Sequence, residues 1–231
     1  MDIHCIIPAR AGSKRIKNKN LYNLNGKPLI AYSIKAALDS GVFTSVIVST
    51  DSEEIAQVAR QCGAKVPRMR GPELSNDYVG IHPVIQDSIK MLDIKNLEQT
   101  IIMCLSATAV LINSNYIKRG IKEFLSESAS HPLLTLSRFT HPIERAYGAT
   151  GSYYSPLIPN NMKKRTQDFE PKWFDAGQFC IAKAQDWLAQ SEFKGPFQAL
   201  IIPPDEVVDI DTYEDLEIVS KILNTNKAQF I

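Results

Sequence analysis

A chain of 231 residues, 44% hydrophobic and 22% charged, has the composition of an ordinary globular protein, which excludes disordered and fibrous classes. The formal net charge of +1 argues against a general polyanion binder such as a nucleic-acid protein. That near-neutral sum hides two poles. Between Pro8 and Pro28 lie six basic residues (Arg10, Lys14, Arg15, Lys17, Lys19 and Lys27) and no acid. Between Asp205 and Glu217 lie seven acids and no base. The four cysteines (Cys5, Cys62, Cys104 and Cys180) show no CxxC or CxxxH spacing, which argues against a zinc site. The N-terminal residues carry neither the basic nor the apolar region of a signal peptide, and no apolar stretch approaches a membrane span. A cytoplasmic protein with no membrane partner is expected.

Taken in order, Ile3–Ile7 is a nearly continuous apolar run ended by Pro8, the pattern of a strand buried on both faces. Pro28 opens a helical repeat (Leu29, Ile30, Ile34, Ala37, Leu38) that stops at Gly41. Val46–Val48 predicts a second strand, and Asp51 is placed to cap a helix over 53–62. Further strands are predicted near 65–68 and 100–105, with helices over 83–92 and 115–127. Strands alternating with helices of this length predict a doubly wound, mainly parallel α/β sheet. The rhythm changes after about residue 131: 131–137, 147–150 and 179–182 read as strands, and the stretch between them is rich in proline. It resumes with a strand at 207–210 and an amphipathic helix over 212–223. No internal repeat is present, and residues 1–231 read as a single domain.

The segment Pro8-Ala9-Arg10-Ala11-Gly12-Ser13-Lys14-Arg15 follows the first strand directly. In a doubly wound sheet ligands bind outside the carboxyl ends of strands, so this loop is well placed for a site. Small residues permit close approach of backbone N–H groups to a phosphate, and the clustered cations neutralise its charge. Neither GxxxxGK[ST] nor GxGxxG is present. At the other pole, Asp209-Ile210-Asp211-Thr212 puts two carboxylates at i and i+2, so on a strand both face one way and converge on one hard cation. Asp211 or Thr212 could equally cap the following helix, and a lone DxD is weak by itself.

These motifs, with Lys19-Asn20, Asn25-Gly26-Lys27-Pro28-Leu29, Val48-Ser49-Thr50-Asp51 and Arg70, resemble those of the cytidylyltransferases that activate acidic (nonulosonic) sugars, over almost the whole chain. The pseudaminic acid branch is the most similar, through Glu73-Leu74-Ser75-Asn76-Asp77-Tyr78, Pro142-Ile143-Glu144-Arg145-Ala146, Arg165-Thr166-Gln167-Asp168 and Asp175-Ala176-Gly177-Gln178-Phe179. The resemblance implies a Rossmann-like nucleotidyltransferase fold. Residues 139–177 would be a loop-rich β insertion that serves as dimerisation arm and part of the sugar pocket. It implies CTP and a nine-carbon keto-sugar acid as substrates, Mg2+ as cofactor, pyrophosphate release and a homodimer. Nucleotide contacts would come from Ala9, Arg10, Ala11, Gly12, Ser13, Lys14, Lys19, Asn20, Arg70 and Thr108. Sugar contacts would come from Arg165, Gln167 and Gln178, and the metal ligands would be Asp209 and Asp211, with Lys14, Lys19 and Asp211 catalytic.

Several positions depart from the family pattern: Ser106 where the pseudaminic branch has tyrosine and the sialic branch glutamine, Ile81 for a small hydroxyl residue, Val110 for proline, Gly71 inserted before Pro72, and Cys180 for an aromatic. All fall around the acceptor side or the nucleoside, so alternatives to pseudaminic acid stay open: N-acetylneuraminic, legionaminic or deoxyoctulosonic acid. A non-catalytic nucleotide-binding homologue is the other reading. It predicts loss of Lys14, Lys19, Asp209 or Asp211, and all four are present.

Overall fold

The computed structural model describes residues 1–126 and 129–225. The strands are β1 (Ile3–Pro8), β2 (Asn23–Leu24), β3 (Lys27–Pro28), β4 (Ser45–Ser49), β5 (Ile101–Leu105), β6 (Leu133–Arg138), β7 (Tyr147–Thr150), β8 (Tyr153–Pro156), β9 (Trp173–Lys183) and β10 (Gln198–Ile202). The helices are α1 (Leu29–Ser40), α2 (Glu53–Gln61), α3 (Ile81–Lys90), α4 (Ser114–Ser126), α5 (Ala184–Ala189) and α6 (Tyr213–Thr225). Six strands form one sheet in the order β10-β6-β9-β5-β1-β4. All run parallel to their neighbours except β9, which is antiparallel to β5 and β6. The expected doubly wound, mainly parallel sheet is therefore present.

Its two faces are covered by different helices. On one, Ile30 and Ile34 of α1, Ile55 of α2 and Ile117, Ile121 and Phe124 of α4 pack on Ile7, Val48, Met103, Leu105, Phe179 and Ile181. On the other, Ile85 and Ile89 of α3 and Trp187 of α5 cover Ile6, Ile102, Cys104 and Ala182. β1 and β5 have both faces buried, which is why each reads as an unbroken apolar run. A third cluster lies off the sheet, where Leu216, Val219 and Leu223 of α6 meet Ile16, Leu24, Leu29, Val110, Leu111 and Ile210.

Helix boundaries follow local chemistry. α1 begins after Pro28 and ends at Gly41, whose φ of 65° favours a residue without a Cβ. α2 is capped by Ser52, whose side chain accepts from Ile55 N at 3.4 Å, and not by Asp51 as expected. Thr212 and Asp215 cap α6 reciprocally: Thr212 N donates to Asp215 Oδ2 (2.7 Å) and Asp215 N to Thr212 Oγ1 (3.3 Å).

Two predicted strands are absent. Residues 65–68 contribute one bridge, between Lys65 and Ile47, and no strand. Residues 207–210 are unpaired loop. The last strand is instead β10, an edge strand preceding them, which the sequence reading missed together with β8 and α5. Of the helix predicted over 115–127, residue 127 lies outside the described residues. Within 139–177, β7 and β8 form their own two-stranded hairpin before β9 re-enters the sheet.

Candidate active site

Chain order reverses across β1: the chain passes from β1 to β4 on one side and then to β5 on the other. The crevice at the carboxyl ends of β1 and β5 is the switch point where doubly wound sheets bind ligands. It is flanked here by the loop after β1 and the turn after β5. A cleft of about 430 Å3 lies between them, lined by Pro8, Arg10, Ser13, Lys14, Arg15, Ile16, Lys19, Asn20 and Ser106–Thr108. Thr108 hydrogen-bonds the Ser106 hydroxyl at 3.2 Å in its floor.

The two charged poles meet at this cleft. Asp211 pairs with Arg15 at 2.7 Å and with Lys19 at 3.3 Å, and Lys19 Nζ also donates to the Ile210 carbonyl at 2.6 Å. What brings them together is apolar. Ile16, between Arg15 and Lys17, and Ile210, between Asp209 and Asp211, are each 0% exposed and share the cluster under α6. Burying one such side chain is worth roughly 1.5–3 kcal/mol, more than an exposed ion pair at about 0–1 kcal/mol. The two isoleucines thus hold the poles in register, and the charges supply the chemistry. The packing role of neither was foreseen: Ile16 is an isolated apolar residue between two cations, and Ile210 was read as the end of a strand.

The strand argument for Asp209 and Asp211 is corrected, since their segment is loop. The two residues flank the buried Ile210, and their carboxylates lie close enough to act on one another. Burial and the Asp211 charge push the Asp209 carboxyl up from its ordinary value, while Lys19 and Arg15 pull it down. Such a carboxylate pair, crowded by its own repulsion, suits a hard cation. Among the described residues no three His, Cys, Asp or Glu side chains converge on a common centre. Magnesium takes one or two carboxylates and completes its shell with phosphate oxygens and water, so a two-carboxylate donor set is compatible with it.

The basic loop presents side chains more than backbone amides to the cleft. Ala9 N, Ala11 N and Ser13 N are already bonded, to Ser49 O (2.9 Å), Asp51 Oδ1 (2.9 Å) and Ala11 O (2.8 Å). These three amides are thus engaged within the protein in this structure. Gly12 stands at the loop's tip, where an added Cβ would meet only Arg10 at 3.6 Å. Arg10 and Lys14 are drawn to Asp77, which binds both, so each of two carboxylates holds two of the four cations. Asp77 was quoted in a motif without a role. Asn20 is buried and donates to the Arg10 carbonyl at 2.9 Å, so it shapes the loop from beneath.

A second cleft of about 190 Å3 shares Pro8 and Arg10 and adds Arg70, Leu74, Asn76, Gly80 and Ile81. The Arg70 side chain is 3% exposed, donates to Ser75 Oγ at 3.2 Å and lies 3.8 Å from Asp51. Burial lowers its pKa from the ordinary arginine value. A third cleft of about 270 Å3 shares Pro8, Ser106 and Ala107 with the first and is floored by Cys104, Gln178, Phe179, Cys180 and Trp187. Gln178 is buried there and donates to the Ala176 carbonyl at 2.6 Å. Arg165 and Gln167 line none of these three clefts; Arg165 is exposed in the 139–177 segment and ion-paired to Asp168 at 2.9 Å.

A switch-point crevice lined by a cationic loop, two of whose cations are ion-paired to Asp211, has the character of a nucleotidyltransferase site. The cytidylyltransferase family model matches residues 4–156, and the chain belongs to that family; it is a cytidylyltransferase. It is 38% identical over 224 residues to a pseudaminic acid cytidylyltransferase of Campylobacter jejuni, covering 96% of each chain. It is 30% identical to the CMP-N,N'-diacetyllegionaminic acid synthase of Legionella pneumophila, over the full length of both. In fold it is similar to the structure of CMP:2-keto-3-deoxy-manno-octonic acid synthetase complexed with CTP (TM-score 0.73, 16% identity, 97% and 99% of the two chains).

Proposed function

We propose that this enzyme transfers CMP from CTP to the anomeric hydroxyl of pseudaminic acid, with magnesium, and releases pyrophosphate. The observation that carries the reading is the gathering of four cations, paired in twos to Asp77 and Asp211, at one switch-point cleft. The identity to the Campylobacter enzyme supports the acceptor. Cytidine would occupy the small cleft against Arg70 and the phosphates the central cleft. There Arg10, Lys14, Arg15 and Lys19 neutralise the charge that grows on the departing pyrophosphate. Asp209 and Asp211 would hold the metal, which supplies charge neutralisation at the phosphate oxygens and acidity at a bound hydroxyl. Such a displacement depends on alignment more than on covalent help, so the rigid seating of the loop by Ile16 and Asn20 matters as much as its charge.

The sugar acid would enter the third cleft, which adjoins the central one through Ser106 and Ala107. Its carboxylate needs a cation, and within one chain Arg165 lies off that cleft. The segment 139–177 instead presents Tyr147, Tyr153, Tyr154 and Leu157 to solvent, 53–79% exposed. In this reading it is an arm that joins two copies, and Arg165 and Gln167 serve the acceptor pocket of the assembled dimer.

The same reaction on another keto-sugar acid is the second reading, favoured by Ile81, Ser106 and Cys180, the departures that line the third cleft. Pyrophosphate release from CTP and magnesium across a panel of these acids separates the two. Turnover should be fastest with pseudaminic acid. Faster turnover with a different acid reassigns the acceptor, and no turnover with any of them defeats both.

A further inference from the structure

Cys104 and Cys180 have no role in the proposed transfer step, yet their placement is tightly determined. They are direct partners on antiparallel β5 and β9, so their side chains share one face of the sheet. That face floors the third cleft, which both residues line. The residues two further along, Ser106 and Gln178, meet through a Ser106 N to Gln178 O bond of 2.9 Å. Hydrogen-bonded and non-hydrogen-bonded pairs alternate along such a ladder, so Cys104 and Cys180 occupy a hydrogen-bonded pair with Cα atoms about 5.5 Å apart. At that position Cβ atoms are near the wide end of the cross-strand range, about 5.5 Å, whereas a disulfide needs about 3.5–4.5 Å. A direct S–S bond therefore fits poorly, and a bond through one intervening atom fits well.

We propose that Cys104 and Cys180 form a bidentate site for soft, thiol-bridging electrophiles of the trivalent arsenical class, at the floor of the cleft assigned above to the acceptor. The step is a condensation without redox change: R–As=O and two thiols give R–As(S-Cys)2 and water, both thiol protons leaving on the arsenical oxygen. Burial pushes the Cys104 thiol up to about 12 and raises Cys180 well above its ordinary value. Both thiols are therefore protonated and slow toward oxidants and one-point alkylators, which require thiolate. A bridging reagent escapes that penalty, since its first bond brings the second sulfur into effective concentration. Cys5 lies on the opposite face of the sheet and Cys62 follows α2, so neither can complete the pair.

Phenylarsine oxide on the intact protein provides the test. Mass spectrometry should show one tightly held phenylarsenic unit bridging the peptides of Cys104 and Cys180, released by a competing dithiol. Cys104→Ser and Cys180→Ser should each weaken retention at least about 100-fold, the loss of a chelate, while Cys62→Ser leaves it unchanged. Label mapping to Cys5 or Cys62, or retention undiminished in both serine variants, overturns the site, and the mapping on unsubstituted protein needs no variant to fold. The link to the acceptor rests on the proposed function and is read separately. A saturating sugar acid should protect the pair from labelling and CTP alone should not. Bridging without that protection would keep the site and remove the acceptor from this cleft.

Discussion

Asp211 concentrates the site's electrostatics in one side chain: it is a proposed metal ligand, the partner of Arg15 and Lys19, and the neighbour that perturbs Asp209. Asp211→Asn keeps the shape, halves the carboxylate pair and frees two cations. Turnover should fall about 100-fold or more, the scale at which metal-site groups act. The fold should survive, because the Arg15 side chain is 68% exposed and such a pair contributes at most about 1 kcal/mol. Pyrophosphate release titrated with magnesium checks the first point and a thermal melt the second. Near-wild-type turnover at low magnesium would remove Asp211 from the metal site. The charged residues of this site were legible because like charges cluster along the chain and have few structural uses there. Ile16 and Ile210 were not, because a single buried residue in a loop has no period and its partner lies far off in sequence; Asp51 was read as a helix cap, and its bond to Ala11 N was not foreseen.

Among elements, those with one unbroken pattern were legible: β1, β5, α1 and α2 each have a continuous or helical apolar repeat and a plain stop. β9 was seen only over 179–182, although it runs from Trp173 to Lys183. Gly177 sits in it at φ 64°, and the register against β6 shifts between Leu134 and Leu136, so alternation breaks mid-strand. β9 also carries Gln178 and Cys180 into the third cleft, and α4 packs behind it at a point with no spare room. A Cβ on Gly120 would come 2.8 Å from Phe179 Cε2 and 2.9 Å from Cζ. Gly120→Ala should therefore destabilise the protein by about 1–3 kcal/mol through overpacking, against a helix-propensity gain of about 1 kcal/mol. It should also disturb acceptor KM more than that for CTP, since Phe179 moves with the cleft floor. A denaturant melt with parallel kinetics on both substrates measures the two; an unchanged or raised midpoint would mean that Phe179 rotates away at no cost.

On the scale of the molecule, folding brings the excess charge of one pole onto that of the other, so a nearly neutral chain carries a strongly polarised cleft. Two buried histidines add a contribution to the pH dependence of stability. His4 in β1 meets Ser45 Oγ at 2.8 Å, and His82 in α3 packs on the rings of Trp187 and Phe193 at 4.6 and 4.5 Å. Burial lowers both from the ordinary value of 6.5, so the folded state holds them neutral at pH values where the unfolded chain binds a proton. Stability is therefore full above about pH 6.5 and falls as the pH drops through the lowered folded values, because the unfolded state then binds more protons. Asp77, Asp168 and Asp215, held below the ordinary carboxylate value by hydrogen bonds, add a second loss only in stronger acid. Thermal midpoints taken from pH 7.5 to 5 should decline, by about 2–4 °C for each kcal/mol lost in a chain of this size. His82→Gln removes one titrating group and should flatten the decline whatever it does to the midpoint at pH 7.5. A midpoint constant down to pH 5 in the parent protein would show that both histidines take up protons in place, with water reaching rings that the packing closes off.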